Sequence, residues 1–444
     1  MQKKPIRIFL WILLGIVILV GLYYLPPIHS RLSWRVDNAR TQIKYYFNPP
    51  DEAVFEPSAP QPTTPPSQAT AEILETLAPT ATPEGVEATA APTLTPTIVP
   101  TAIPERNLLA GFKYTDQHNR WNYCGPANLT MALSYWGWAG TRDDVARAIK
   151  PGEVGIADFI QAGKADKNVM PAEMLDFVND QTEYTGVIRY GGTIELLKRF
   201  IAAGYPVIVE KGYYERDYTG KVAWLGHYQY VTGYDDGTQE FIVQDTYNDG
   251  PNHHDPYEKF EEGWRSFNYL FMVVYPPAES DIVNEILGLW LDETWANEHA
   301  LSIAESETDA TGNDEFFAWF NKGTSLVNLQ RYGEAATAFD QAFSLYADLG
   351  QDDTQRPYRI MWYQTSPYWA YFYTGRYQDV VNLANTTLNE TISEPTLEES
   401  LYWRAMAEYA LGDYPAAYAD MLETVRLNPN FSPGIFYLEQ WGVQ

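Results

Sequence analysis

The stretch Trp121-Asn122-Tyr123-Cys124-Gly125-Pro126-Ala127-Asn128 decides the reading of this chain, because it sets the only cysteine of 444 residues at the mouth of a helix. Pro126 suits the first helical position, where its missing N–H costs nothing and its φ is already right. Leu129, Ala132, Leu133 and Trp136 recur at helical spacing, and Gly137 supplies a left-handed stop. Cys124 is therefore expected at or just before the N-cap. Unpaired N–H groups and the positive end of the helix dipole favour thiolate over thiol there, which makes a usable nucleophile. A buried structural cysteine is the alternative, since a free thiol behaves as a small hydrophobe.

A partner set lies downstream. Trp224 to Tyr234 alternates and is rich in aromatic and β-branched residues, so it reads as a strand, and Glu240 to Asp245 reads as a second. A hairpin loop of Asp235, Asp236 and Gly237 makes the pairing symmetric about Asp236 and brings His227 opposite Asp245. With the helix-capping Cys124, these supply a nucleophile, a base and a group to orient it. His118, close to Cys124 in sequence, is a competing base, but a strand positions a base more rigidly than the approach loop does.

The segments QHNRWNYCGPANLTMALSYWG, DKNVMPAEM, IAAGYPVIV and GHYQYVTGYDDGTQEFIVQD together resemble the double-glycine (bacteriocin-leader) cysteine peptidases of the papain-like superfamily and their extracytoplasmic relatives. The resemblance spans residues 106–276 and implies an α+β papain-like peptidase domain. It implies that Cys124 is the nucleophile, His227 the general base and Asp245 the residue that orients the imidazole. It also implies a glutamine oxyanion donor before the cysteine. Gln117 is that candidate, one residue further upstream than the family spacing, with Asn122 and the Cys124 N–H as other possible donors. No Walker motif is present, which separates the chain from transporter-fused members.

Within 106–276, helices are expected from Thr141 to Ile149, Pro171 to Val178 and Thr193 to Ala203, and a strand over Val207–Glu210. The cysteine helix should pack on the sheet carrying His227. Tyr213, Tyr214, Trp224 and Tyr228 are candidates for a substrate groove, although aromatics beside strands more often simply pack. His253-His254-Asp255 reads as a solvated loop, because adjacent histidines do not face one ion and no second cysteine exists. No metal and no cofactor is expected.

Ahead of this domain, Lys3, Lys4 and Arg7 lie in a short tip (1–8), followed by an apolar run from Phe9 to Leu25 read as an uncleaved single transmembrane helix. A juxtamembrane segment (26–48) leads into a Pro/Thr-rich stretch (49–105), and residues 49 to 104 carry 13 of the chain's 30 prolines. Such a composition cannot build a core and is expected to form a disordered stalk outside the cytoplasm.

After a connector (277–312), residues 313–438 carry tetratricopeptide-type positions: Trp319, Gly323, Tyr332, Ala335, Phe339 and Ala342 in a first unit. A second unit around Tyr377 has a first helix broken by Pro367, and a third contains Tyr414 and Ala417. An all-α, TPR-like superhelix of three hairpins is expected, either recruiting a peptide or protein partner or only buttressing the peptidase.

The net charge of −28 disfavours nucleic acid and anionic membrane surfaces as partners. One cysteine allows no intramolecular disulfide. The sequence is thus read as a membrane-anchored extracytoplasmic cysteine peptidase acting on peptides or proteins. The alternatives are an inactive peptidase-like scaffold or peptide-binding protein, and a cell-wall amidase or transpeptidase with the same nucleophile.

Overall fold

The computed structural model describes residues 54–58, 103–216, 222–350, 356–392 and 394–443, with scattered helical positions between 15 and 47. Most of the expected membrane helix and most of the Pro/Thr-rich stretch lie outside the described residues. Among those described, no helix is long and apolar enough to cross a membrane.

Arg106–Leu108 (β1), Thr185–Arg189 (β2), Val207–Arg216 (β3), Val222–Asp235 (β4), Glu240–Gln244 (β5), His253–Pro256 (β6) and Phe271–Tyr275 (β7) form one antiparallel sheet. Its order is β2-β7-β3-β4-β5-β6, with β1 pairing β4. Helices cover both faces, which is why runs such as Val207-Ile208-Val209 are apolar on successive residues. On one face lie Cys124–Tyr135 (α1), Arg142–Ile149 (α2) and Pro171–Gln181 (α3), where Leu129, Met131 and Leu133 pack with Ile208, Tyr230 and Met272. On the other lie Ile194–Ala202 (α4) and Tyr257–Arg265 (α5), where Leu197, Phe200 and Phe260 pack with Val207, Val231 and Val273.

Local signals set the helix ends. Thr141 and Asp144 form a reciprocal capping box on α2, and the Thr193 side chain accepts from Leu196 N at the start of α4. Gly137, at φ 97°, takes the left-handed position after α1 and donates to Ser134 O. The start of α1 differs from expectation. Tyr123 is the N-cap and Cys124 the first helical residue, so Pro126 is third, still among the four positions whose N–H lacks an intrahelical partner.

The hairpin register also differs. Asp235 pairs with Glu240 and Tyr234 with Phe241, so the loop is Asp236–Gln239, and a bulge between Val231 and Gly233 shifts the ladder again. Val231 then meets Val243 and Tyr230 meets Gln244. His253-His254-Asp255, expected as a loop, is edge strand β6. Buried Asp255 explains the order there, because it pairs with buried Lys211 of β3.

The connector is helical, with Ser280–Leu287 (α6) and Glu293–Glu307 (α7), and Val283 and Leu287 join the core of the sheet. Three helical hairpins follow: Asn313–Asn328 (α8) with Tyr332–Asp348 (α9), Ser366–Tyr373 (α10) with Tyr377–Asn385 (α11), and Glu398–Leu411 (α12) with Tyr414–Leu427 (α13). Pro367 lies in the first turn of α10, after the separate helical turn Ile360–Tyr363. Phe316, Phe339, Tyr371 and Trp403 share a core that extends to Trp224 and Phe267 of the sheet domain and to Phe55 of the Pro/Thr-rich stretch.

Candidate active site

Three elements bring the sequence-predicted residues together: the first turn of α1, the middle of β4 and the residue just past β5. The Cys124 thiol interacts electrostatically with the His227 imidazole, and His227 Nε2 lies 3.0 Å from Asp245 Oδ2. With Nε2 turned to the carboxylate, Nδ1 is the ring nitrogen left for the sulfur. Asp245 is itself held. Gln229 Nε2 donates to its Oδ2 at 3.1 Å, and the N–H groups of Tyr247 and Asn248 donate to Oδ1 at 2.7 and 3.0 Å.

The electrostatics set a half-buried thiol beside a buried imidazole and carboxylate. Burial pushes the Cys124 thiol up, but the His227 hydrogen bond and charge, with the N–H groups of Tyr228 and Gly125, bring it below its ordinary value. Burial works against the imidazolium of His227, yet Asp245 and Cys124 raise it to about 10. Burial also works against the Asp245 carboxylate, and His227, Gln229 and the Tyr247 N–H overcome that to hold it well below the usual carboxylate range. Both shifts favour thiolate and imidazolium over the neutral pair.

Asn128 was not singled out from the sequence. Fully buried, it donates through Nδ2 to Cys124 O at 2.9 Å and to Tyr228 O at 2.8 Å, tying the start of α1 to the residue after His227. Its one signal was an asparagine in a helix interior, where that residue is a poor helix former. Glu210 was missed as well. It is buried on β3 opposite Tyr228, and burial, followed by the nearby Cys124 charge, raises its carboxyl well above the usual range.

The other candidates lie as follows. Gln117 bonds to Thr246, the residue after Asp245: its N–H donates to Thr246 O at 2.9 Å and its Oε1 accepts from Thr246 Oγ1 at 2.9 Å. Asn119 and Asn122 have φ of 61° and 51°, so the loop between Gln117 and Cys124 is kinked twice. Asn122 Nδ2 donates to Asp166 O at 3.1 Å. His118 is exposed beside Asp116 and Tyr247. Of the four aromatics, Trp224 and Tyr228 are buried packing residues, whereas half-buried Tyr213 meets the His227 ring edge to face at 5.8 Å.

The helical hairpins approach this site closely. Gly226 has no side chain, and a Cβ there would come within 2.7 Å of Phe267 Cζ and 2.8 Å of Tyr363 Cδ1. That space admits Tyr363 against the strand that carries His227, which is itself only 4% exposed. A cavity of about 270 Å³ runs from Tyr213, Gln229 and Asp245 to Asn313 and Phe317 of α8. A second, of about 440 Å³, is bounded by Met170, Glu210 and Phe267 on one side and Tyr363 and Gln364 on the other.

Residues 109–272 match the Peptidase_C39 like family. A solved structure of a putative C39-like peptidase from Bacillus anthracis resembles the chain at 18% identity and a TM-score of 0.30, covering 38% of this chain and 98% of its own. Xylellain, a cysteine protease from Xylella fastidiosa, resembles it at 14% identity and a TM-score of 0.26, covering 50% of this chain and 95% of its own. No curated protein matches the sequence.

Proposed function

We propose that this chain, whose residues 109–272 resemble the C39-like peptidases, hydrolyses peptide bonds with Cys124 as nucleophile. The 3.0 Å contact of His227 with Asp245, on an imidazole that also interacts with the Cys124 thiol, is the observation that carries the reading. His227 takes the thiol proton, and the sulfur attacks the carbonyl carbon. His227 then gives that proton to the leaving amine, and water activated by the same imidazole hydrolyses the thioester. Asp245 keeps the ring oriented and stabilises its charge. The Cys124 N–H and the Gln117 amide are the proposed donors to the oxyanion.

In the same reading, Phe9–Leu25 anchors the chain in a membrane with the peptidase outside the cytoplasm, and the helical hairpins act as a TPR-like surface for protein recruitment. The test is incubation of the full chain with a complex peptide mixture, with cleavage read by mass spectrometry. Cleavage by the wild type and none by Cys124→Ser supports the proposal.

A second reading draws on one observation. His227 is nearly closed off and Tyr363 packs beside Gly226, an arrangement suited to a peptidase-like scaffold without turnover. Absence of cleavage, together with no labelling of Cys124 by a peptidyl epoxide, would favour that scaffold.

A further inference from the structure

Phe55 is the sole aromatic residue between Pro49 and Pro104, and it is only 4% exposed. Its ring packs edge to face on Phe343 of α9, with centroids 5.0 Å apart, and against Tyr371 of α10 at 6.0 Å. Three residues on, Ser58 is held at every polar atom. Its N–H and Oγ donate to Asp379 Oδ1 at 3.0 and 2.7 Å, and its carbonyl accepts from Arg376 Nη2 at 3.0 Å.

The receiving groups form a braced set. Arg376 donates through Nε to Asp379 Oδ2 and through Nη1 to Asp340 Oδ2, both at 2.7 Å, while Tyr371 donates to Asp340 Oδ1 at 3.0 Å. Asp379 is buried, and Arg376 lies over the Tyr371 ring at 4.4 Å. An aromatic slot beside a clamp for one residue's backbone and hydroxyl is a way to recognise an extended peptide by shape and by main-chain bonds. Proline between the anchors keeps such a segment extended and lowers the entropy lost on docking. Further up the chain, Lys44 Nζ donates to Asn389 O at 2.7 Å and also to Ile392 O, and Arg40 pairs with Glu394.

We propose that α9, α10 and α11 form a binding site for an extended aromatic-x-Pro-Ser segment, occupied in cis by Phe55 to Ser58. Docking fixes the start of the Pro/Thr-rich stretch to the helical hairpins. The proposal is independent of any catalytic activity.

The test uses the full chain and a fluorescent peptide of residues 51–61, read by anisotropy. A tethered segment competes at an effective concentration of about 1 mM, so Phe55→Ala should bind the peptide more tightly than the wild type, by about tenfold or more. Adding Asp379→Ala should remove that binding. Equal affinity for wild type and Phe55→Ala overturns the proposal, as does a folded Phe55→Ala chain that binds nothing. Hydrogen exchange on the unaltered chain gives a second readout that does not depend on a variant folding. The Ser58 amide should exchange at least about tenfold more slowly than in the free peptide, and exchange at the free rate also overturns the proposal.

Discussion

His227 and Asp245 hold a 3.0 Å contact although the ladder does not pair them. Pairing runs from Asp235 with Glu240 to Tyr230 with Gln244 and ends there, so Asp245 lies past the last rung and its carboxylate reaches back along β4. Gln229 shares the face of His227 two residues on and donates to the same Oδ2, which holds the carboxylate between the two side chains. The contact is therefore set by the bulge before Gly233 and by the turn at Tyr247 and Asn248.

The pH dependence of stability follows from that pair. His227 is raised to about 10, so the stability it contributes is complete below the ordinary imidazole range and lost as pH rises through about 10. Asp245 is depressed, so its contribution is present above the ordinary carboxylate range and lost as pH falls through its own lowered value. Asp245→Asn removes the depressed carboxylate and the larger of the two charges that raise His227, the other being Cys124. The melting-temperature gap between wild type and this variant should be widest at about pH 4.5 to 6, between the ordinary carboxylate and imidazole ranges, and shrink toward either extreme.

Thiol reactivity gives a second expectation. As the chain's only cysteine, Cys124 makes iodoacetamide alkylation site-specific. Alkylation at pH 6 should far exceed that of a free thiol with pKa about 8.5, and His227→Ala should restore the ordinary profile. A wild-type profile centred near the free-thiol value would sink the ion-pair description.

Asn128→Ala should separate positioning from charge. It removes the donor shared by Cys124 O and Tyr228 O, at a cost of about 1–3 kcal/mol for a buried hydrogen-bonding group. The alkylation rate should fall while its pH midpoint stays near the wild-type value. A shifted midpoint would instead mean that Asn128 acts on the charge of the thiol.

Gly226→Ala tests the contact between the helical hairpins and β4. The added methyl meets Phe267 and Tyr363 inside 3 Å, and overpacking of this kind costs about 1–3 kcal/mol. Thermal melting should show the loss, and Tyr363→Ala in the same chain should recover part of it. Unchanged melting in the single variant would mean that Tyr363 moves aside freely.

Much of this site was legible because its signals are local. A cysteine ahead of Gly-Pro and an apolar helical period places a thiol at a helix start, and the alternation from Trp224 to Tyr234 places a strand around His227. The strand register was not legible. Loop length and bulge position answer to packing on both faces of the sheet, and Asp235-Asp236-Gly237 reads locally as a shorter turn than the one formed. Glu210 was hidden for a related reason, since a lone carboxylate after Val-Ile-Val looks like a strand end until its burial is seen. The approach of Tyr363 to Gly226 joins residues far apart in the chain, and only the tertiary structure reveals it.

Trp224 stacks on Phe267 at 5.6 Å, and its other aromatic neighbours are Phe317 and Tyr363 of the helical region, each at 5.8 Å. On a ribosome, the whole sheet emerges before either of those two rings exists. The nascent domain therefore presents an indole covered, among aromatic rings, only by Phe267, three residues along β4 from its histidine, until the later helices are made, a window in which chaperone binding or aggregation competes with closure. A fragment ending after β7 would keep that surface open permanently.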